Sequence, residues 1–260
     1  MNSPHTPKLL RQQIILVFAL LFVFWGMGLV VLNALWPLPR LGLRAGLTTA
    51  GLCFIFIYTY RHLHENHGSD SKTILPRLGM ANTITLLRGV VAVALLFLVG
   101  TPRPAGAAGW LPALIFLALV ATDSLDGYVA RRTHHCTLLG KKLDVVFDSL
   151  SAFVGILLVI GYEQVPPWFV LVGLVPFGFY GLLRWYRWRG RPIHSLPPST
   201  FRGVIGGVLF GFLCFALAPI FPAVVTSSFA AVLTLALLAS FIRDWFYTVG
   251  TLQPSKKEMT

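Results

Sequence analysis

Four aspartates that are suited to metal chemistry lie within one short stretch of this chain. They are Asp123, Asp126, Asp144 and Asp148, four of only nine acidic residues among 260. The apolar runs on either side are long enough to cross a membrane, where one mid-helix carboxylate costs roughly 2.5–3.5 kcal/mol. Four carboxylates would cost on the order of 10 kcal/mol. This cost predicts that cations compensate the four charges.

The spacing of the aspartates predicts where they meet. Asp123 and Asp126 are three residues apart and Asp144 and Asp148 four apart, so each pair shares one helix face. If the two helices are antiparallel neighbours, Asp126 comes level with Asp144, and Asp123 with Asp148. Four converging carboxylates suit hard cations such as Mg²⁺ or Mn²⁺. Two such ions ~3.5–4 Å apart can clamp the attacking and leaving oxygens of a phosphoryl displacement.

A second hypothesis places the same acids in an ion or proton transporter. Carboxylates inside a membrane commonly mark such a path. A relay would distribute its acids along the membrane normal, however, whereas these four cluster at one level near one face. The spacing therefore favours phosphoryl chemistry over transport.

The composition predicts an all-α, polytopic membrane helical bundle. Hydrophobic residues make up 56% of the chain and charged residues 12%, which excludes an ordinary soluble domain. Eight apolar runs have about the ~17–25 residues that a transmembrane helix requires, the seventh being slightly short. They are Ile14–Trp36, Leu43–Tyr60, Asn82–Val99, Trp110–Arg132, Leu138–Tyr162, Trp168–Tyr186, Gly203–Ala218 and Ala223–Ile242.

The distribution of basic residues supports this count of spans. All but four of the 21 lysines and arginines fall in segments on one side; Arg40, Arg44 and Arg103 lie on the other, and Arg88 lies within a helix. The positive-inside rule then predicts a multi-pass protein of the cell membrane with both termini cytoplasmic. It also places the acidic motif on the cytoplasmic side. The net charge of +12 further predicts attraction to anionic membrane lipids.

The acidic stretch resembles a known family signature. Residues 123–148 read D-x-x-D-G-x-x-A-R, then eight residues, then G-x-x-x-D-x-x-x-D. All eight fixed positions match the signature of the CDP-alcohol phosphatidyltransferase family (class I, integral membrane). Upstream, Asn82-x-x-Thr85-x-x-Arg88 resembles the element that begins the family's first core helix. The resemblance covers roughly residues 74–245.

The resemblance implies a division of the chain into three parts. Residues 1–73 form an N-terminal extension with two transmembrane helices, for which the sequence offers no chemistry. Residues 74–245 form a six-helix catalytic core, and residues 246–260 a polar cytoplasmic tail. Proteins similar to this one are homodimers, an assembly that this sequence neither supports nor contradicts.

The resemblance also implies an enzyme of phospholipid biosynthesis. A CDP-linked lipid, usually CDP-diacylglycerol, places its pyrophosphate on the metals; a small alcohol attacks the β-phosphorus, and CMP leaves. By resemblance Asp123, Asp126 and Asp144 bind metal, and Asp148 both contacts metal and serves as general base. The residues expected to contact or line the CDP-lipid site are Asn82, Thr85, Arg88, Gly127, Ala130, Arg131, Thr137 and Gly140.

The acceptor alcohol stays open at this stage. Four arginines, Arg184, Arg187, Arg189 and Arg202, are candidates to hold the phosphate of an anionic acceptor. Glycerol 3-phosphate is the leading interpretation, with inositol phosphate, serine or another alcohol as alternatives. Arginines and aromatics alternate over residues 184–191, but because they cap a membrane helix we expect no nucleic-acid binding. A catalytically inactive relative is a further alternative, against which the intact motif argues.

Overall fold

The structure is a computed structural model that describes residues 7–35, 40–68, 73–132, 136–194 and 200–250. Within these ranges, the side chains at positions 32, 35, 124, 126, 128–131 and 200 lie outside the described part.

Eight α-helices and no named strand make up the described chain, which confirms the predicted all-α bundle. Four short 3₁₀ helices complete the regular structure, at Leu63–Glu65, Leu96–Leu98, Gly106–Trp110 and Pro167–Phe169. The α-helices, in chain order, are α1 Lys8–Leu35, α2 Leu41–His62, α3 Met80–Leu95, α4 Leu111–Arg132, α5 Leu138–Gly161, α6 Val170–Trp188, α7 Thr200–Leu217 and α8 Ala223–Val249.

Seven of these helical segments are long and apolar enough to cross a membrane. The exception is α7, whose apolar part, Phe201–Leu217, is shorter than the other spans, as the sequence predicted. Large apolar side chains point outward along the helices, with Val30 71% and Leu235 70% exposed. Such faces are stable against lipid rather than water. The chain is therefore a multi-pass membrane protein.

The chain divides into two compact units, of which the first comprises residues 1–99 and 115–154. Its core joins α1, α2, α3 and α5 through buried side chains that include Phe18, Ile55, Val93 and Phe147. Gly89 of α3 lets the Phe147 ring of α5 approach so closely that a Cβ would lie 2.9 Å from it. Small residues permit this kind of close helix packing in membranes. The contact fixes α3 against α5 next to the predicted site.

The second unit comprises residues 100–114 and 155–260. Arg103 donates hydrogen bonds to the terminal carbonyls of α7, at 3.2 Å to Ala216 and 2.8 Å to Leu217. Its guanidinium also lies 5.2 Å from the ring centre of Tyr162. Burial raises the pKa of Tyr162, against the opposing effects of Thr101 and Arg103. An arginine thus supplies the partners that the last turn of α7 cannot find within its own helix.

Candidate metal and phosphate site

Three of the four predicted aspartates meet in the first unit. Asp123 lies on α4, and Asp144 and Asp148 lie one turn apart on α5, so that both face α4. One oxygen from each carboxylate lies within 4.8 Å of the other two. The side chain of Asp126 lies outside the described residues, although its backbone belongs to α4. The structure therefore brings together acids from both halves of the motif.

Arg88 of α3 stands at the centre of these acids. Its side chain is only 1% exposed, and its Nη2 lies 2.7 Å from Asp144 Oδ1 and 3.2 Å from Asp148 Oδ1. Its Nη1 contacts Asp123 Oδ1. The sequence had assigned Arg88 to the CDP-lipid contacts and had not predicted this pairing. A lone arginine in an apolar helix is itself the signal, because such a charge requires a partner.

The electrostatics of the cluster favour a further cation. Three carboxylates and one guanidinium carry a formal net charge of −2. The carboxylates keep 42–47% of their side-chain surface exposed, so they remain accessible to a ligand. Hard divalent ions bind carboxylate oxygens of this kind. The donor set thus fits Mg²⁺ or Mn²⁺.

A second group of predicted residues forms a hydrogen-bonded network beside the acids. Asn82 of α3 donates from Nδ2 to Thr137 Oγ1 at 3.0 Å, and Thr137 Oγ1 accepts from the Gly140 backbone N–H at 3.0 Å. Asn82 is 3% and Thr137 3% exposed. A Cβ on Gly140 would lie 2.5 Å from Asn82 Oδ1, so any larger residue there would displace the Asn82 side chain. Three residues that the family resemblance assigns to the CDP-lipid site are therefore in mutual contact.

The structure describes the remaining predicted CDP-lipid residues only in part. Thr85 is buried on α3 and donates to the Ala81 carbonyl at 3.1 Å. Gly127 lies half-buried on α4. The side chains of Ala130 and Arg131 lie outside the described residues.

The four predicted acceptor arginines belong to the second unit. Arg184 and Arg187 line an open groove of about 580 Å³ at the end of α6, together with Gly181, Trp185 and Trp188. The Arg189 guanidinium stacks 4.3 Å from the Trp185 ring centre. Aromatics and arginines together form an interfacial belt of the kind that ends many membrane helices.

Arg202 of α7 has a partner that the sequence reasoning missed. Its Nη1 lies 3.2 Å from Oδ1 of Asp244 on α8, and Arg243 Nη2 lies 3.5 Å from the same oxygen. Asp244 is only 4% exposed. The buried aspartate near the end of a long apolar run was the available signal, because buried membrane acids are normally paired. This pairing gives Arg202 a structural role in its own unit.

Comparison with known proteins identifies the family. The family model described as CDP-alcohol phosphatidyltransferase matches residues 78–246, more than half of the chain. This match contains the acidic cluster, Arg88 and the Asn82–Thr137–Gly140 network. The chain belongs to the CDP-alcohol phosphatidyltransferase family.

Three curated relatives carry the name CDP-diacylglycerol–glycerol-3-phosphate 3-phosphatidyltransferase. The protein of Wigglesworthia glossinidia brevipalpis is 31% identical over 86 residues, covering 33% of this chain and 46% of the relative. That of Cereibacter sphaeroides is 33% identical over 92 residues, covering 35% and 40%. That of Bacillus subtilis is 33% identical over 60 residues, covering 23% and 31%. The matched segments thus span less than half of each relative. No solved structure matches the chain significantly.

Proposed function

We propose that this protein transfers a phosphatidyl group from a CDP-linked lipid, such as CDP-diacylglycerol, to the hydroxyl of an acceptor alcohol and releases CMP. The observation that carries the proposal is the convergence of Asp123, Asp144 and Asp148 within 4.8 Å around one buried arginine. This cluster lies within the segment that matches the family. A phospholipid product would suit a multi-pass membrane protein, since it partitions directly into the surrounding bilayer.

The proposed cofactor is Mg²⁺ or Mn²⁺, as two ions held by Asp123, Asp126, Asp144 and Asp148. When bound, divalent ions of this kind neutralise charge on the pyrophosphate and polarise its phosphorus–oxygen bonds. Arg88 supplies a fixed positive charge to the same place from inside the bundle. A buried, paired guanidinium needs little reorganisation as negative charge develops on the transferring oxygens.

The proposed general base is Asp148. One of its carboxylate oxygens accepts the proton from the acceptor hydroxyl as the hydroxyl oxygen attacks the β-phosphorus of the CDP-lipid. The bond between that phosphorus and the oxygen bridging to CMP then breaks, and CMP leaves with the bridging oxygen. The acceptor oxygen becomes part of the new phosphodiester. The exposed fraction of the Asp148 side chain, 42%, leaves room for an incoming alcohol.

The proposed binding site for the cytidine diphosphate part is lined by the hydrogen-bonded network around Asn82 and by neighbouring residues. The small residues Gly127 and Ala130 leave space for the ligand, and the polar groups offer hydrogen bonds. The proposed residues are Asn82, Thr85, Arg88, Gly127, Ala130, Arg131, Thr137 and Gly140.

The proposed acceptor is glycerol 3-phosphate. All three curated relatives carry this acceptor in their names. Arg184, Arg187, Arg189 and Arg202 are the proposed partners of its phosphate, on the ground that guanidinium groups bind phosphate in two-pronged geometry. The protein is further proposed to lie in the cell membrane with both termini cytoplasmic and, by resemblance alone, to form a homodimer.

Transport, the second function considered, fits the geometry less well. A proton or ion path needs sites spaced across the bilayer. Instead, three acids from two helices gather around one point, and a buried arginine binds them.

A panel of acceptors tests the proposal. The purified protein receives CDP-diacylglycerol, Mg²⁺ and one acceptor at a time, namely glycerol 3-phosphate, inositol phosphate, serine or inositol. We expect CMP release with glycerol 3-phosphate and formation of the corresponding phosphatidyl lipid. Release with another acceptor would correct the acceptor alone. No release with any acceptor, despite a folded protein, would refute the proposed reaction.

A further inference from the structure

Asn66 is a fully buried polar residue outside the segment that matches the family. It lies in the connection between α2 and α3, and its exposure is 0%. Its Nδ2 donates to the Arg77 carbonyl at 2.8 Å and to the Leu75 carbonyl at 3.3 Å. Its Oδ1 accepts from Asn82 Nδ2 at 3.1 Å. Both amide hydrogens and the amide oxygen are thus engaged.

These bonds connect the inter-helix segment to the proposed CDP-lipid site. Asn82 bonds Thr137, which in turn accepts from the backbone N–H of Gly140. The main chain joins the same two regions a second time, because Leu138 N–H donates to the His67 carbonyl at 2.9 Å and Gly68 forms an antiparallel bridge with Thr137. The start of α5 is therefore held by the segment that precedes α3.

Asn66 also decides which way the amide of Asn82 faces. An amide group offers hydrogens on one side and oxygen on the other. Because Asn66 Oδ1 can only accept, the nitrogen of Asn82 must face it. The oxygen of Asn82 then lies on the side of Gly140 and accepts from Thr137 Oγ1 at 3.3 Å. A reversed amide would oppose two oxygens in a buried site, which is unfavourable.

We propose that Asn66 is a positioning residue that orients Asn82 and Thr137 for binding the cytidine part of the CDP-lipid. The proposal rests on the proposed function. Asn66 itself touches no substrate; it acts through Asn82. The N-terminal part of the chain thereby contributes to substrate affinity, a role that its apolar helices do not suggest.

The test compares Asn66→Ala with Thr48→Ala. Thr48 is a matched control because it is buried in the same unit and its hydroxyl donates within its own helix, to the Arg44 carbonyl at 2.9 Å. We expect Asn66→Ala to raise KM for CDP-diacylglycerol roughly tenfold, the size of one lost buried hydrogen bond, with kcat within about twofold. KM for the acceptor should not change. Thr48→Ala should leave both KM values unchanged.

A double variant tests whether Asn66 acts through Asn82. We expect Asn66→Ala combined with Asn82→Ala to have no higher KM for CDP-diacylglycerol than Asn82→Ala alone, because residues in one network are not additive. Additive effects, or an unchanged KM in folded Asn66→Ala, would overturn the proposal. If Asn66→Ala does not fold, Asn66→Ser, which keeps a small acceptor, replaces it in the test. Its KM for CDP-diacylglycerol is expected to lie between that of the wild type and that of Asn82→Ala. A wild-type KM in Asn66→Ser would also overturn the proposal.

Hydrogen exchange separates this inference from the proposed function. Asn66→Ala should speed exchange of the amides at Leu138 and Gly140, and Thr48→Ala should not. If exchange speeds up but even the wild-type protein shows no turnover, the proposed reaction fails while the coupling to Asn82 stands. If the wild-type protein is active and Asn66→Ala changes neither exchange nor KM, the inference alone fails.

Discussion

Arg88 Nη2 lies 2.7 Å from Asp144 Oδ1, joining α3 to α5 across 56 residues of sequence. The guanidinium is buried, whereas the carboxylate is 45% exposed. The positive charge is therefore fixed from within the bundle and the negative charges face outward. This arrangement stabilises neighbouring carboxylates without enclosing them.

Replacing Arg88 should make the thermal stability of the protein depend more strongly on divalent metal than that of the wild type. Arg88→Ala leaves three neighbouring carboxylates without their guanidinium, and we expect a loss of about 1–3 kcal/mol, reduced from the usual value for buried pairs because the acids are partly exposed. Mg²⁺ should raise the Tm of Arg88→Ala more than that of the wild type. Arg88→Lys, which keeps the charge, should lose less. Thermal unfolding with EDTA and with Mg²⁺ measures this; equal metal shifts in all three proteins would contradict it.

Replacing the proposed base should abolish turnover without unfolding the protein. Asp148→Asn keeps the size of the side chain but removes the proton acceptor, and we expect CMP release to fall by about 10²–10⁴-fold. Its Tm should stay near that of the wild type. Glu163→Gln, a change at an exposed acid after α5, is the control and should retain full activity. Near-normal CMP release by a folded Asp148→Asn variant would refute the assignment of the base.

Adding one methyl group at Gly140 should impair CDP-lipid binding. The new Cβ of Gly140→Ala would lie 2.5 Å from Asn82 Oδ1 and 3.2 Å from Thr137 Oγ1, so the network must shift. We expect a rise of roughly tenfold in KM for CDP-diacylglycerol. Gly178→Ala on α6, where nothing lies within 4 Å of the added Cβ, should leave KM unchanged. If the two variants have equal KM values, the network has no part in binding.

Replacing Arg189 and replacing Arg202 should have different effects, because the two arginines have different partners. Arg189 is exposed and stacks on Trp185, so Arg189→Ala should raise KM for glycerol 3-phosphate more than for the CDP-lipid, by about tenfold, with little change in Tm. Steady-state kinetics with each substrate varied in turn measures this. Equal effects on both substrates would indicate a general effect of charge instead.

Arg202→Ala should additionally destabilise the protein. It leaves the buried carboxylate of Asp244 with Arg243, at 3.5 Å, as its partner among the described residues. We expect a loss of about 1–3 kcal/mol, less than the usual value for a buried pair because Arg202 is 31% exposed. Adding Asp244→Asn should recover part of the Tm, because it removes the poorly compensated charge. A double variant no more stable than Arg202→Ala would show that the ion pair is not the cause.

The sequence predicted the helices and the meeting of acids because both follow from local patterns. Long apolar runs define membrane helices, and spacings of three and four residues place Asp144 and Asp148 on one face. Asp123 and Asp148, predicted to be level with each other, lie within 4.8 Å in the structure, and Asp144 lies within the same distance of both. The alignment of Asp126 with Asp144 stays a prediction, since the Asp126 side chain lies outside the described residues.

The pairings between distant residues were not predictable from such patterns. Each pairing depends on how helices or connections pack, and the periodicity of the sequence does not indicate a partner 56, 42 or 16 residues away. These pairings are Arg88 with Asp144, Arg202 with Asp244 and Asn66 with Asn82. A charge within an apolar helix predicts that a partner exists but not which residue it is. Asn66 lies in a polar connection, where the sequence does not indicate that its side chain is buried or paired.

Removal and return of divalent metal tests the central claim most directly. The purified protein is treated with EDTA, and CMP release from CDP-diacylglycerol with glycerol 3-phosphate is measured before treatment, after it, and after addition of Mg²⁺ or Mn²⁺. We predict that activity disappears with EDTA and returns with either ion in the wild type and in Glu163→Gln, but not in Asp148→Asn. Undiminished CMP release by the fully chelated, folded protein would contradict the metal role of the aspartate cluster.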